Sequence, residues 1–187
     1  MSKIAVVYFS KTGVTEHLAK AVISGITENN DVDVVEHKIE GKEIVEGRFI
    51  NPSLFESLLD CDAIIMGSPT YMGSVAAQFK AFADASSEFW PQQQWADKIA
   101  AGFTCGIALN GDQSSSLQCM NTFASQHGMI WVGLDTAVGY RDHGVNRFGC
   151  NLGVVAQSFG SIANEVDTAS ATHLGSRVAR LVERLNK

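Results

Sequence analysis

The sequence predicts an α/β protein: a three-layer sandwich in which helices cover both faces of a parallel sheet. Short apolar runs alternate along the chain with segments of helical periodicity, which is the pattern of such folds. The first run, residues 4–9, is apolar or aromatic at every position, as in a strand buried on both faces. The last segment carries one apolar stripe at helical spacing: Leu174, Val178, Leu181, Val182 and Leu185.

The remaining elements follow in order. Strands are predicted over residues 32–35, 63–66, 98–103 and 129–134, and residues 152–156 are strand-like. A first helix starts near Thr12 and ends at the polar residues 29–31. Further helices are predicted over residues 53–59, with Ser53 as N-cap, after Pro69, and over residues 114–126. Residues 135–151 are Gly-rich and show no clear period.

Composition narrows the class of protein. The 187 residues are 45% hydrophobic and 18% charged, which suits one domain spanning residues 1–187. The net charge of −6 argues against nonspecific nucleic-acid binding. No stretch is apolar enough to span a membrane, and no signal peptide is recognisable. The four cysteines form no C-x-x-C pair, so we predict free thiols, no metal site and a cytoplasmic location.

The loop between the first strand and the first helix predicts a phosphate site. It consists of Ser10, Lys11, Thr12, Gly13, Val14 and Thr15. Amide groups at a helix N-terminus attract anions, and three hydroxyls can add donors. Gly13 permits close approach of the backbone. The alternative is an ordinary turn in which Thr12 caps the helix.

Other nucleotide-binding patterns are absent from this junction. The dinucleotide pattern G-x-G-x-x-G and the Walker pattern G-x-x-x-x-G-K-[ST] are both missing. A response regulator would have acidic residues at the ends of its first and third strands, where Ser10 and Ser68 stand here. The phosphate therefore belongs to another class of ligand.

A second loop follows the strand at residues 63–66 and offers surface for a flat ring. Pro69 and Gly73 predict a turn, and Thr70 supplies a hydroxyl. Tyr71 and Met72 present aromatic and soft apolar surface at the carboxyl edge of the sheet, which suits an aromatic ring system. Core or dimer contacts are the alternative for these two side chains.

Together these loops resemble a known family. Residues 10–15 resemble the flavodoxin phosphate signature, and residues 67–73 with 78–82 look like the P-T-x-x-G loop of the WrbA-type NAD(P)H:quinone oxidoreductases, which are NADPH-dependent FMN reductases. The likeness continues through residues 98–100 and 126–129 and fades after about residue 134. It implies a flavodoxin-like fold whose five-stranded parallel sheet has the order 2-1-3-4-5.

The resemblance implies FMN, bound noncovalently, with its phosphate on residues 10–15. Residues 69–73 would line the isoalloxazine. The loop after the fourth strand would cover the other polar edge of the ring through Cys105, Gly106, Asn110, Gly111 and Asp112. Asp112 is either a charge near the flavin or a helix N-cap, and a small buried thiol is the preferred interpretation of Cys105.

Three side chains are candidates for a role in catalysis, although none is required by the chemistry. His127 matches a family histidine near the flavin, but it also reads as the end of a helix before Gly128. Trp90 falls where the reductases place an aromatic residue over a neighbouring subunit's flavin; a buried or interface tryptophan with no catalytic role is the alternative. Tyr71 stands where the family often has Arg.

The resemblance implies hydride transfer from NAD(P)H to FMN and on to a quinone-like acceptor through one shared pocket. A flavodoxin-type carrier of single electrons between redox partner proteins is the alternative, since residues 135–151 resemble the insertion of long-chain flavodoxins. A third reading is a protective or regulatory protein that retains FMN. The family further suggests homodimers or homotetramers.

Overall fold

The computed structural model describes residues 2–28, 32–109, 111–136 and 144–187. A first group of strands lies in the N-terminal half: β1 (Ser2–Tyr8), β2 (Val32–Lys38), β3 (Ile44–Val45), β4 (Arg48–Phe49), β5 (Ala63–Tyr71) and β6 (Ser74–Val75). The second group is β7 (Ile99–Gly106), β8 (Ile130–Trp131), β9 (Val154–Phe159) and β10 (Ile162–Ala163). The helices are α1 (Val14–Thr27), α2 (Pro52–Leu59), α3 (Ala77–Ala85), α4 (Gln113–Gln126) and α5 (Glu165–Leu185).

Five strands form a parallel sheet in the order β2-β1-β5-β7-β9. Numbered by their place along the chain, these strands have the predicted order 2-1-3-4-5, and the predicted fold class is confirmed. The sheet is larger than predicted, because three two-residue strands extend it. Strands β6 and β10 pair antiparallel with β5 and β9, and β8 pairs parallel with β7.

The strand predicted over residues 129–134 is the two-residue strand β8. Ile130 and Trp131 pair with the start of β7, at Ile99 and Ala100. The chain then leaves the sheet, and β9 takes over the same edge of β7 from Phe103 onward. Two segments separated by residues 132–153 thus share one sheet edge, which explains why the sequence shows two strand-like runs there.

Of the described helices, two cover one face of the sheet and three cover the other. Core residues of α1 and α5 pack with β1, β5 and β7 on one side, and those of α2, α3 and α4 fill the other side. A Cβ at Gly25 would lie 1.9 Å from the carbonyl oxygen of Thr172, and one at Gly175 would lie 2.0 Å from that of Val22. These two glycines therefore let α1 and α5 pack backbone against backbone.

The start of α2 corrects one prediction. Asn51, and not Ser53, is the N-cap: its Oδ1 accepts the N–H of Leu54 at 3.0 Å, and Pro52 occupies the first helical position. Ser53 instead donates its hydroxyl to Asn51. Among the described helices, none has the length and apolar character that crossing a membrane requires.

Candidate functional site

The carboxyl ends of the parallel strands bring four chain segments to one edge of the sheet. Tyr8, Gly67, Phe103 and Val154 lie level with one another in the strand registers. Beyond that level β1 and β2 end, while β5, β7 and β9 continue. In open parallel sheets this edge, next to the point where the strand order reverses, is where ligands bind.

The loop after β1 presents a row of unpaired amide groups. Within the described ranges, no acceptor pairs with the backbone N–H groups of residues 11–15. The first paired amides are those of Glu16, which donates to Ser10 Oγ at 3.2 Å, and His17, which donates to the Gly13 carbonyl at 2.8 Å. Five successive free donors at the positive end of α1 are an arrangement that suits an anion, and this loop is the candidate anion site.

The side chains of this loop divide into two groups. Ser10 and Thr15 are buried, and Lys11 and Thr12 are exposed. Because Ser10 Oγ accepts the Glu16 amide, its own proton remains available to a ligand. The alternative in which Thr12 caps α1 is not observed, since Gly13 occupies the N-cap position with φ of 99° and no side chain caps the helix.

The turn between β9 and β10 borders the candidate anion site, and the sequence did not predict this contact. The turn between β9 and β10 packs on the loop, so that a Cβ at Gly13 would lie 3.2 Å from the Ser161 carbonyl oxygen. The Ala163 N–H donates to His17 Nδ1 at 3.1 Å and fixes the turn on α1. The Gly160-Ser161 pair after a strand was the available turn signal, and Gly160 indeed has φ of 74°.

The loop after β5 differs in detail from the prediction. Pro69 does not form the turn; it lies within β5, opposite Cys105 of β7. Met72 and Gly73 make the turn, with φ of 50° and 77°, in a two-residue hairpin between β5 and β6. Such turns need positive φ at both positions, which Gly73 adopts freely. Met72 is fully exposed, and Tyr71 is partly exposed at the edge.

The Thr70 hydroxyl is used within the protein. Its Oγ1 lies 2.8 Å from Thr104 Oγ1 and 2.8 Å from Ser116 Oγ. The buried hydroxyls of Thr104 and Ser116 thereby join β5, β7 and α4 directly beneath the edge. The Thr70 hydroxyl therefore serves to hold the strand ends together.

The loop after β7 is fastened by Gln113, a residue that the sequence did not single out. Its buried side chain accepts the Gly111 N–H at 2.8 Å and donates to the Ala108 carbonyl at 2.6 Å. A Cβ at Gly106 would lie 2.7 Å from Gln113 Nε2, so a larger residue there would displace this side chain. Asp112 occupies the N-cap position of α4, but it is exposed and its side chain makes no capping bond. The predicted contact Asn110 lies outside the described residues.

Exposed apolar side chains surround this edge. They come from three different strand ends. An exposed apolar patch of this kind marks a surface for binding a ligand or a partner. We call these six residues the apolar rim: Tyr71, Met72, Ile107, Leu109, Phe159 and Ile162.

The structure separates two of the three candidate catalytic residues from this edge. His127 is the C-cap of α4, whose N-terminus follows the loop after β7. The 14 residues of α4 span about 20 Å, so within one chain His127 lies at the opposite end of the sheet from the anion site. Trp90 follows α3 and lies with His127 in a groove of about 650 Å³ between α3 and α4. Of the three, Tyr71 alone stands at the ligand edge.

His127 is buried in an aromatic environment. Its Nε2 lies 2.8 Å from Ser86 Oγ, and its ring lies 4.5 Å from that of Trp95. Ser86 donates its own hydroxyl to the Ala83 carbonyl, so Nε2 carries the proton of this bond. Burial lowers the pKa of His127. The alternative of a helix-terminal histidine before Gly128, which has φ of 69°, agrees with this position.

The chain is similar in sequence to several known proteins. Residues 2–141 match the model of the family described as NADPH-dependent FMN reductase. The chain is 38% identical over its whole length to the full-length "Flavodoxin FldP" of Pseudomonas aeruginosa, and 34% identical to an "NAD(P)H dehydrogenase (quinone)" of Archaeoglobus fulgidus, with 99% of this chain and 100% of that protein covered.

Its fold also resembles a solved structure closely. The flavodoxin, WrbA-like protein from Agrobacterium tumefaciens superposes with a TM-score of 0.75 at 35% identity, covering 98% of this chain and 99% of the other. The sheet order, the anion site after β1 and these similarities lead to one conclusion. The chain belongs to the NADPH-dependent FMN reductase family.

Proposed function

We propose that the protein is an FMN-binding oxidoreductase that passes reducing equivalents from NAD(P)H to a quinone-like acceptor. One observation carries the proposal: five consecutive N–H groups, of residues 11–15, have no partner among the described residues and stand at the N-terminus of α1. Their donors suit a phosphate monoester. The relatives named as quinone dehydrogenases and the family itself support the activity.

The chain's residues suit FMN in three places. The loop of Ser10, Lys11, Thr12, Gly13, Val14 and Thr15 would hold the phosphate. Residues 69–73 would line the ring on one side, and Cys105, Gly106, Asn110, Gly111 and Asp112 belong to the loop that would border it on the other. Among these residues Cys105 is buried beneath the loop, so it would act by packing and not by direct contact.

Bound FMN would supply the hydride chemistry, and the protein would supply position and electrostatics. The phosphate would be held mainly by neutral donors, because Lys11 is the one charged residue of the loop and its side chain is exposed. The apolar rim would favour a neutral, flat acceptor over a charged one, since Tyr71 and Met72 offer stacking surface and no charge. No side chain at the edge needs to act as nucleophile.

Steady-state oxidation of NADPH and of NADH by the FMN-loaded protein, with benzoquinone as acceptor, tests the activity. We expect turnover that saturates in both substrates and is lost when FMN is removed. A protein that binds FMN but does not turn over, and that stabilises the one-electron-reduced flavin in a redox titration, would contradict the reductase.

A second candidate function is that of an electron carrier. The relative named as a flavodoxin favours it, and the apolar rim could serve as a docking surface for a redox partner protein. In that case benzoquinone reduction would be slow. Electron exchange with a reductase protein would instead be fast.

We further propose that residues 1–187 form one domain, that the protein functions in the cytoplasm, and that copies of the chain associate into dimers or tetramers. The four free thiols support the cytoplasmic location. Trp90, about half exposed beside the groove between α3 and α4, supports self-association. Sedimentation of the wild type and of Trp90→Ala tests it: we expect a smaller species for the variant, and a monomeric wild type would contradict it.

A further inference from the structure

Residues 144–151, part of the Gly-rich segment without a predicted role, are fixed to the body of the protein by Asn146. Its side chain is buried, and Nδ2 donates to Thr136 Oγ1 and to Asn151 Oδ1, both at 2.9 Å. Its backbone N–H donates to Ser170 Oγ on α5 at 2.7 Å, and its Oδ1 accepts the N–H of Cys150 at 3.0 Å. The segment therefore holds a fixed position beside α5.

Arg147, the residue after Asn146, makes a bidentate ion pair with Asp167 in the first turn of α5. Arg147 Nε lies 2.6 Å from Asp167 Oδ1, and its Nη2 lies 2.8 Å from Asp167 Oδ2. The Asp167 side chain is 1% exposed, and that of Arg147 is 22% exposed. A buried carboxylate depends strongly on such a partner, because a lone buried charge is very costly.

The same carboxylate reaches the functional edge through Gln157. Asp167 Oδ2 accepts the backbone N–H of Gln157 at 3.0 Å. The Gln157 side chain donates from Nε2 to the Ile107 carbonyl at 3.1 Å, in the loop after β7. Gln157 also pairs with Gly106 in the sheet, and three residues later Gly160 begins the turn that packs on Gly13.

From this chain of contacts we propose that Arg147 is a positioning residue for the ligand edge. It holds Asp167, which orients the end of β9, and Gln157 in turn holds the loop after β7. Two walls of the proposed FMN site, residues 106–109 with 111–112 and the turn at residues 159–162, thus depend on the ion pair made by Arg147. This inference rests on the proposed function, because its readout is FMN binding.

Equilibrium titration of the full-length apoprotein with FMN, followed by quenching of flavin fluorescence, tests the proposal. We expect Arg147→Met to weaken FMN binding by about tenfold or more, since it removes two charged hydrogen bonds from a buried carboxylate. Arg147→Lys, which keeps the charge and one bond, should recover part of the loss. Arg180→Met is the matched control, because Arg180 on α5 is exposed and, among the described residues, bonds only to Ser176.

A second variant distinguishes a change at the FMN site from a general loss of stability. Gln157→Leu removes the side-chain bond to Ile107 and leaves the ion pair intact, so its apoprotein should melt like the wild type while FMN binding weakens about threefold or more. In NADPH–benzoquinone turnover at saturating FMN, the variants should raise KM for the quinone more than they lower kcat. Wild-type FMN affinity in both Gln157→Leu and a folded Arg147→Met would overturn the proposal, whereas a wild type that binds no FMN would overturn the proposed function.

Discussion

Thr15 on α1 and Cys105 on β7 touch across the interior of the protein, with Thr15 Oγ1 3.4 Å from Cys105 Sγ. Both side chains are buried, and the contact ties the start of α1 to the end of β7. Burial raises the pKa of the Cys105 thiol, although the bond to Thr15 offsets part of this effect. Cys105 is thus a packing element beneath the site, as the alternative of a small buried thiol predicted.

The burial of two thiols predicts selective labelling of the four cysteines. Burial raises the pKa of Cys61 to about 11 and also raises that of Cys105, so both should stay protonated and unreactive at pH 8. Cys119 and Cys150 are only half-buried. Brief alkylation of the native protein with iodoacetamide, read by peptide mass spectrometry, should modify Cys119 and Cys150 first. Rapid labelling of Cys105 would contradict the burial described here.

Gly13→Ala should damage FMN binding. The new Cβ would lie 3.2 Å from the Ser161 carbonyl oxygen, and the residue would keep an unfavourable φ of 99°. We expect FMN affinity to fall by about tenfold or more. Gly47→Ala is the matched control: Gly47 also has positive φ, at 81°, but nothing lies near its Cβ position. The control should lose about 1 kcal/mol of stability and bind FMN normally. Equal FMN affinity in both variants would argue against close packing at Gly13.

Thr104→Val should destabilise the protein without changing its shape. The substitution keeps the volume of the side chain but removes the buried hydroxyl that bonds to Thr70. We expect a loss of about 1 to 2 kcal/mol in the free energy of unfolding, measured by urea denaturation. Ser74→Ala, at the exposed position of β6, is a control that should lie within about 0.5 kcal/mol of the wild type. An unchanged free energy of unfolding in Thr104→Val would mean that the hydroxyl cluster does not stabilise the fold.

His127 should make stability depend on pH. Burial lowers its pKa in the folded state below the value of about 6.5 that it has in the unfolded chain. The unfolded state therefore binds more protons, and the stabilisation, complete above pH 6.5, is lost as the pH falls toward the folded-state pKa. Urea unfolding at pH 7.5, 6.5 and 5.5 should show a decline that is shallower in His127→Asn. If the free energy of unfolding of His127→Asn declined with falling pH as steeply as that of the wild type, the neutral, buried state of His127 would be contradicted.

The fold and the position of the loop of residues 10–15 at a helix N-terminus could be predicted because both rest on local sequence. The apolar run of β1 and the small polar residues 10–15 lie next to each other in the chain, and the helix N-terminus follows at once. The sheet order was predicted from the family resemblance, and the alternation of strands and helices agrees with it. The strand predicted at residues 129–134 was too long, because a strand-like run does not reveal that β9 takes over the same edge of β7.

The rest of the site depends on contacts between distant residues. Ser161 packs on Gly13 and Gln157 bonds to Ile107, although the members of each pair are far apart in the sequence. Neither contact produces a periodic pattern in the sequence. His127 was placed near the ring by resemblance alone, but its position at the end of α4 separates it from the anion site within one chain. Pro69 was read as a turn residue because proline is common in turns, whereas here it lies inside β5.

The central claim is that the free amides of residues 11–15 bind the phosphate of FMN. Titration of the apoprotein with FMN and with riboflavin, which has the same ring but no phosphate, tests this most directly. We predict one FMN bound per chain and an affinity for riboflavin that is lower by about a hundredfold or more. Equal affinity for the two flavins, or no binding of either, would contradict the account.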